Sequence, residues 1–168
     1  RDETRQTRGR SGGGRYQATW VAPSRRQGSI MSKPGRTIPP KFLSVPVLVI
    51  EDELLIGLLV ESLLEDMGFS SITVAARAEE ALKAADAYEL GLIVSDIILE
   101  NSKLNGIDIV VSLMRRRPVP TVFITAHAGV AEINRIAEVA PRAAVLRKPV
   151  VQRELHNAIA ALVEDWHQ

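Results

Sequence analysis

The chain has 168 residues, no cysteine, 46% hydrophobic residues and a formal net charge of +1. Its length and hydrophobic content are enough for one domain with a sizeable core, and the lack of cysteine excludes a disulfide framework and thiolate metal sites. No apolar run approaches the about 20 residues that a membrane helix needs, and the first residues lack the apolar stretch of a signal peptide, so we expect a cytoplasmic protein.

Residues 1–44 form a basic segment whose composition differs from that of the rest of the chain. The segment contains ten Lys or Arg, two acidic residues and many Gly, Ser and Pro, without a periodic apolar face. Such a segment buries too little to offset its ordering entropy, so we predict that it is disordered. A polyanion-binding arm is the alternative, although we expect neither nucleic acid nor membrane as a partner. Residues 1–30 precede Met31 and are interpreted as sequence upstream of the natural start.

From residue 45 to residue 168 we predict one domain, in which short apolar runs alternate with amphipathic stretches. Apolar runs rich in β-branched residues are typical of strands buried on both faces of a parallel sheet. The predicted strands cover residues 45–50, 72–74, 92–95, 121–125 and 143–146. The predicted helices cover residues 54–67, 78–87, 107–116, 130–139 and 151–166, and the first has an apolar stripe at positions 55, 56, 59, 60, 63 and 64. Five such units predict an α/β domain with a five-stranded parallel sheet and helices on both sides.

Polar side chains follow or end four of the predicted strands. Glu51 and Asp52 follow the first strand, Asp96 the third and Lys148 the fifth, while Thr125 ends the fourth. The carboxyl ends of parallel strands share one edge of the sheet, which is where ligands bind. Clustered carboxylates require a cation, and their oxygens suit Mg²⁺. With a lysine and a hydroxyl beside it, Asp96 is a candidate nucleophile that would form an aspartyl phosphate.

Each of these residues, taken alone, also has a purely structural explanation. Lys148 fits a solvated loop lysine, and Thr125 fits a hydroxyl at a strand end. The acidic pair before the first helix fits a favourable interaction with the helix dipole, and Asp96 fits a turn-capping side chain. The combination at one edge favours the phosphoryl site over these separate explanations.

At this point residues 45–166 resemble the receiver domain of bacterial two-component response regulators. The resemblance rests on the segments VLVIEDE at 47–53, VSD at 94–96, NGID at 105–108, FITAH at 123–127 and RKP at 147–149. It implies a doubly wound, flavodoxin-like (βα)5 fold with the strand order 2-1-3-4-5.

The resemblance also implies an acceptor and a metal site. Asp96 matches the phosphoacceptor, Asp52 matches a direct Mg²⁺ ligand, and Glu51 matches the acid that holds the metal mostly through water. The backbone carbonyl of Ile98 matches the third protein ligand. One departure lies nearby, because Glu100 replaces the usual proline and the loop before the next helix is longer than usual.

Two further matched residues and one departure concern the switch that would follow phosphorylation. Thr125 matches the switch hydroxyl, and Lys148 matches the lysine that contacts the phosphoryl group and precedes a cis-proline. The aromatic switch residue of the family is replaced by Val145, which is stiff and short. We therefore predict that phosphorylation changes mainly residues 125–139 and that His127 tunes the loss of phosphate.

The resemblance implies a response regulator that takes a phosphoryl group from a histidine kinase or a histidine phosphotransfer protein. The size of the chain is a further departure, since the sequence beside the domain is too short for an output domain, and we therefore expect a stand-alone receiver. It would signal by binding a partner protein or drain phosphate from a relay, with homodimerisation through the fourth helix, fifth strand and fifth helix as an option. We expect no enzymatic activity beyond its own phosphorylation and dephosphorylation. The main alternative is a receiver-fold binding module that acts without phosphorylation. A phosphohydrolase fits less well, since its nucleophile would lie in an Asp-x-Asp motif after the first strand, where this chain has Glu51-Asp52.

Overall fold

The computed structural model describes residues 36–126 and 129–166, which form a 3-10 helix (Pro40–Phe42), five strands and five α-helices. The strands are β1 (Val47–Ile50), β2 (Ile72–Ala75), β3 (Leu92–Asp96), β4 (Thr121–Thr125) and β5 (Ala144–Arg147). The helices are α1 (Leu54–Asp66), α2 (Ala78–Ala87), α3 (Gly106–Met114), α4 (Val130–Val139) and α5 (Gln152–Trp166). Every predicted element is therefore present, with ends displaced by two residues or fewer. None of the helices in these ranges is long and apolar enough to cross a membrane.

All five strands are parallel and pair in the order β2-β1-β3-β4-β5, as predicted. Strand β1 lies inside the sheet, where Val47 is in register with Ile72 of β2 and Leu92 of β3. Every residue of β1, β3 and β4 is buried. This is the burial expected of parallel strands whose two faces are both covered by helices.

The sheet separates two hydrophobic cores. Because successive side chains of a strand point to opposite faces, Val47 and Val49 belong to one core and Leu48 and Ile50 to the other. The first core is completed by α1 and α5, and the second by α2, α3 and α4. Burial of the strands on both sides fixes their register, so the strand ends are held in a defined arrangement at each edge of the sheet.

Helix α1 buries, fully or in part, four of the six residues of the predicted stripe, those at 56, 60, 63 and 64, and Gly57 in addition. Its inward side consists of Gly57, Val60 and Leu64, with partly buried residues at 56 and 63. Leu55 and Leu59, which the predicted stripe included, are instead exposed. The helix has apolar residues on more than one side, so their spacing alone could not identify the side that faces the sheet.

The segment before β1 packs on the domain, which corrects the predicted disorder for residues 36–44. Ile38 and Phe42 are buried in the α1/α5 core, and the Phe42 ring meets the Phe69 ring edge-on with 6.2 Å between centroids. Arg36 also forms an ion pair with Glu164 of α5, with 3.0 Å between Nε and Oε2. The described domain thus begins before residue 45, while residues 1–35 lie outside the described part.

Candidate functional site

The carboxyl edge of the sheet gathers the polar residues that the sequence predicted there. Glu51 follows β1, Asp96 is the last residue of β3, Thr125 is the last residue of β4, and Lys148 follows β5. Backbone pairing continues to this edge, because the Lys148 N–H donates to the Thr125 carbonyl over 2.8 Å. Parallel pairing of buried strands therefore places an acid, a second acid, a hydroxyl and a lysine at one rim.

The Lys148 ammonium connects two buried carboxylates. Its Nζ lies 2.6 Å from Oδ2 of Asp96 and 2.9 Å from Oε2 of Glu51. The Asp96 and Glu51 side chains are only 7% and 2% exposed, and the Lys148 side chain is 12% exposed. A third carboxylate, that of Glu53, lies 3.7 Å from Nζ at the exposed side. Charges withdrawn from water to this degree require ionic partners, and one lysine supplies them here.

Burial and this ion pairing perturb the titration of Glu51 and Lys148. Burial raises the pKa of Glu51 above its ordinary value, and the nearby Asp96 raises it further, while the hydrogen bond from Lys148 opposes the change. Burial would lower the pKa of Lys148, but hydrogen bonds from its ammonium to Asp96 and Glu51 outweigh that effect and raise it. Lys148 therefore carries its charge throughout the physiological pH range.

Close backbone packing holds Asp96 in place. Its Oδ1 accepts a hydrogen bond of 3.1 Å from the Ile98 N–H, and its backbone carbonyl accepts one of 2.8 Å from the Ser95 hydroxyl. Helix α3 begins against this carbonyl, where a Cβ atom on Gly106 would lie 1.7 Å from the Asp96 oxygen. Glycine is therefore required at position 106, because no other residue permits so close an approach.

Asp52 lies at the same edge, but its carboxylate is hydrogen-bonded to Asn101 in the loop after β3. Its Oδ2 accepts two hydrogen bonds from Asn101, one of 2.9 Å from the backbone N–H and one of 3.2 Å from the side-chain amide. Across residues 36–126 and 129–166, no three His, Cys, Asp or Glu side chains are grouped so that they could hold a metal ion. The donor types suit Mg²⁺, but this conformation does not assemble Glu51, Asp52 and Asp96 around one point.

The sequence also made predictions for the Lys148-Pro149 peptide bond, Val145, Ile98 and His127. The Lys148-Pro149 peptide bond is cis, as expected. Val145 is 7% exposed and belongs to the α2/α3/α4 core, so it is fixed in packing. Ile98, the predicted carbonyl ligand, has an exposed side chain. His127 lies outside the described residues.

Sequence reasoning missed two features of this edge. The first is Asn101, for which the only signal was the length of the loop after β3. The second is an exposed apolar surface beside the acids, which we term the α1 leucine face and which consists of Leu54, Leu55, Leu58 and Leu59, exposed by 73%, 80%, 49% and 46%. Such contiguous exposed apolar surface marks interaction sites in many proteins.

Comparison with known proteins identifies related sequences over most of the domain. The model of the response regulator receiver domain matches residues 47–160. The phyllosphere-induced regulator PhyR of Methylorubrum extorquens is 40% identical over 86 residues, covering 51% of this chain and 32% of PhyR. The nitrogen assimilation regulatory protein NtrX of Azorhizobium caulinodans is 38% identical over 85 residues, covering 50% of this chain and 18% of NtrX. The aligned part is thus at most about a third of the length of these two relatives.

Solved structures give the same fold. The receiver domain of NtrX from Brucella abortus is 27% identical with a TM-score of 0.63, covering 70% of this chain and 98% of that domain. A CheY-like receiver domain protein from Methanospirillum hungatei has a TM-score of 0.67 at 22% identity, covering 74% of this chain and 97% of its own. The second likeness supports the fold alone.

Proposed function

Because the chain belongs to the response regulator receiver domain family, we propose that Asp96 accepts a phosphoryl group from a histidine kinase or a histidine phosphotransfer protein. The observation that carries this proposal is the contact of 2.6 Å between the Lys148 ammonium and the Asp96 carboxylate at the carboxyl edge of the sheet. A buried carboxylate with a fixed cation beside it can meet an incoming anionic phosphoryl group without the repulsion that an isolated carboxylate would present.

The proposed step transfers a phosphoryl group from a histidine nitrogen of the donor to a carboxylate oxygen of Asp96. A carboxylate oxygen of Asp96 forms a bond to phosphorus as the P–N bond of phosphohistidine breaks, and the imidazole leaves as a neutral ring with a proton from solvent. Lys148, which is charged at neutral pH, stays close to the negative charge of the phosphoryl oxygens. Thr125, buried at the end of β4, is the proposed switch hydroxyl that responds to the phosphoryl group.

The proposal includes Mg²⁺ as the cofactor, with Glu51, Asp52, Asp96 and the backbone carbonyl of Ile98 as its ligands. When bound, the ion would supply positive charge next to the phosphoryl oxygens. In this structure the hydrogen bonds from Asn101 to Asp52 use only Oδ2 of its carboxylate. The acidic side chains themselves are supplied by the ends of β1 and β3 and are hard oxygen donors of the kind Mg²⁺ prefers.

The proposed partners are proteins, and the α1 leucine face supports this. It begins with Leu54, three residues after Glu51, so a protein that reaches the Asp96 edge passes next to it. An amphipathic helix of a kinase or phosphotransfer protein could cover these four leucines while presenting its histidine to Asp96. A downstream partner protein, a phosphate sink role, and a homodimer through α4, β5 and α5 belong to the same proposal.

Phosphoryl labelling tests the proposal directly. The full chain is incubated with Mg²⁺ and a small phosphodonor such as acetyl phosphate, and the product is analysed by intact mass and by its lability in alkali. We expect one acyl phosphate on Asp96. The variant Asp96→Asn keeps the shape of the side chain without the nucleophile and should remain folded and unlabelled.

Asp66→Asn, the same chemical change at the exposed end of α1, is the matched control and should be labelled like the wild type. Equal labelling of Asp96→Asn would refute the assignment of the acceptor. A folded wild-type protein that takes up no phosphate from the small donor or from a phosphorylated phosphotransfer protein would favour the alternative, a binding module that acts without phosphorylation.

A further inference from the structure

Helix α4 buries fewer residues than any other α-helix in the described ranges. Ile136 is buried in the α2/α3/α4 core and Ile133 is partly buried against it, whereas α3 buries five residues and α5 buries seven. A helix with few buried contacts can open or shift at a low cost in free energy. Any further contact between α4 and its neighbours therefore has a large relative effect on the position of the helix.

An ion pair between α4 and α3 is such a contact. Nη2 of Arg135 donates a hydrogen bond to Oδ1 of Asp108, and the two side chains are partly exposed, by 44% and 32%. The two residues are 27 positions apart in sequence. The pair therefore fastens the middle of α4 to the first turn of α3, the helix beside it in the same core.

The first turn of α3 is itself held in place next to the acceptor. Asn105 caps the helix by accepting a hydrogen bond of 2.9 Å from the Asp108 N–H. Gly106, the first residue of the helix, packs so closely on the Asp96 carbonyl that a Cβ atom there would lie 1.7 Å from the oxygen. The Asp108 carboxylate is thus a fixed point to which α4 is attached.

We propose that the ion pair of Arg135 with Asp108 is a tether that holds α4 against α3 and opposes the displacement of α4 predicted to follow phosphorylation of Asp96. The part that concerns phosphorylation rests on the proposed function. Thr125 ends β4 and α4 begins at Val130, so a movement of the switch hydroxyl pulls on the start of α4 while the tether holds its middle. A contact made in only one of two positions shifts the equilibrium toward that position.

Hydrogen exchange of the unphosphorylated full chain tests the tether. Arg135→Gln and Asp108→Ala each remove one partner of the pair. We expect either change to speed exchange of the α4 amides by about 1.5- to 5-fold, the range that corresponds to one partly exposed ion pair. The double variant should exchange no faster than the faster single variant, because the interaction is already lost. Unchanged exchange in either single variant, or accelerations that add in the double variant, would overturn the tether.

Glu138→Gln is the matched control, because it removes a charge from an exposed position of the same helix. It should not speed exchange of the α4 amides. An acceleration equal to that of Arg135→Gln would assign the effect to a general change of charge on the helix and overturn the tether.

Labelling with acetyl phosphate and Mg²⁺ tests the connection to phosphorylation. We expect faster α4 exchange in the labelled than in the unlabelled wild type, and exchange at least as fast in labelled Arg135→Gln. Unchanged α4 exchange in the labelled wild type, or slower exchange in the labelled variant, would overturn the proposed opposition to phosphorylation. A wild type that takes up no label contradicts the proposed function, and the unlabelled proteins then decide the tether. Normal labelling with equal exchange of wild type and Arg135→Gln contradicts the tether alone.

Discussion

Replacing Lys148 by methionine tests how the two buried carboxylates of the rim are stabilised. Methionine has a similar length and no charge, so Lys148→Met removes the ion pairs with Asp96 and Glu51 and leaves these side chains, 7% and 2% exposed, without their cation. Removal of one partner from a buried ion pair costs about 3–5 kcal/mol. Because the site lies at the edge of the sheet, where water can reach Glu53, we expect a loss near the lower end, about 3 kcal/mol at pH 7.

The loss should depend on pH with a defined sign. Burial already raises the pKa of Glu51 above its ordinary value of 4.5, and the lysine hydrogen bond that opposes this is lost in the variant. An acid whose folded pKa is raised destabilises the fold as pH rises through that pKa. The pKa of Lys148 is raised above 10.5, so the lysine is charged in both states between pH 5 and 8 and contributes no slope there. The difference between variant and wild type should therefore be smaller at pH 5 than at pH 8.

Urea unfolding followed by far-UV circular dichroism at pH 5 and pH 8 measures these free energies. Lys83→Met, the same change on the exposed side of α2, is the control and should alter the free energy of unfolding by less than about 0.5 kcal/mol. A loss below about 1 kcal/mol for Lys148→Met at pH 8, or a larger loss at pH 5 than at pH 8, would refute the view that the lysine neutralises buried charge.

Three other outcomes follow from the packing and the switch. Gly106→Ala should lower the free energy of unfolding by about 3 kcal/mol and slow labelling of Asp96, because the new methyl group overlaps the Asp96 carbonyl; an unchanged labelling rate would contradict this. Phe42→Ala should cost about 3 kcal/mol in chemical denaturation, whereas Lys41→Ala at the exposed neighbouring position should be neutral; equal effects would mean that the segment adds no core. With an acyl-phosphate mimic, hydrogen exchange should change mainly in residues 125–139, and changes confined to β5 and α5 would contradict this prediction.

The strands and the rim could be predicted because their signals are local and strong. A run such as Leu92–Asp96 contains only apolar or small residues until its last position, so the sequence itself locates both the strand and the acid at its end. Parallel order then brings Glu51, Thr125 and Lys148 to the same edge without any knowledge of side-chain positions. These predictions depend only on where each strand ends.

Other features depend on packing that no local pattern encodes. In α1, leucines occur on several sides of the helix, and the packing of the helix on β1 and β2 decides that Val60 is buried and Leu55 exposed. Residues 36–44 have the composition of a linker, but Ile38 and Phe42 find a site beside Phe69. Similarly, the contact of Asn101 with Asp52 joins residues 49 positions apart, which no local pattern encodes.

The anchored segment before β1 also determines how the domain can be handled in experiments. The Ser70 N–H donates to the Leu43 carbonyl just before β2, at the edge of the sheet opposite Asp96, and the ion pair of Arg36 with Glu164 brings the end of α5 to the same side. A fluorophore or a surface tether attached near residue 36 or residue 166 therefore lies away from the rim. Immobilised in this way, the domain would present Asp96 and the α1 leucine face to the solution, where a phosphodonor protein could reach them.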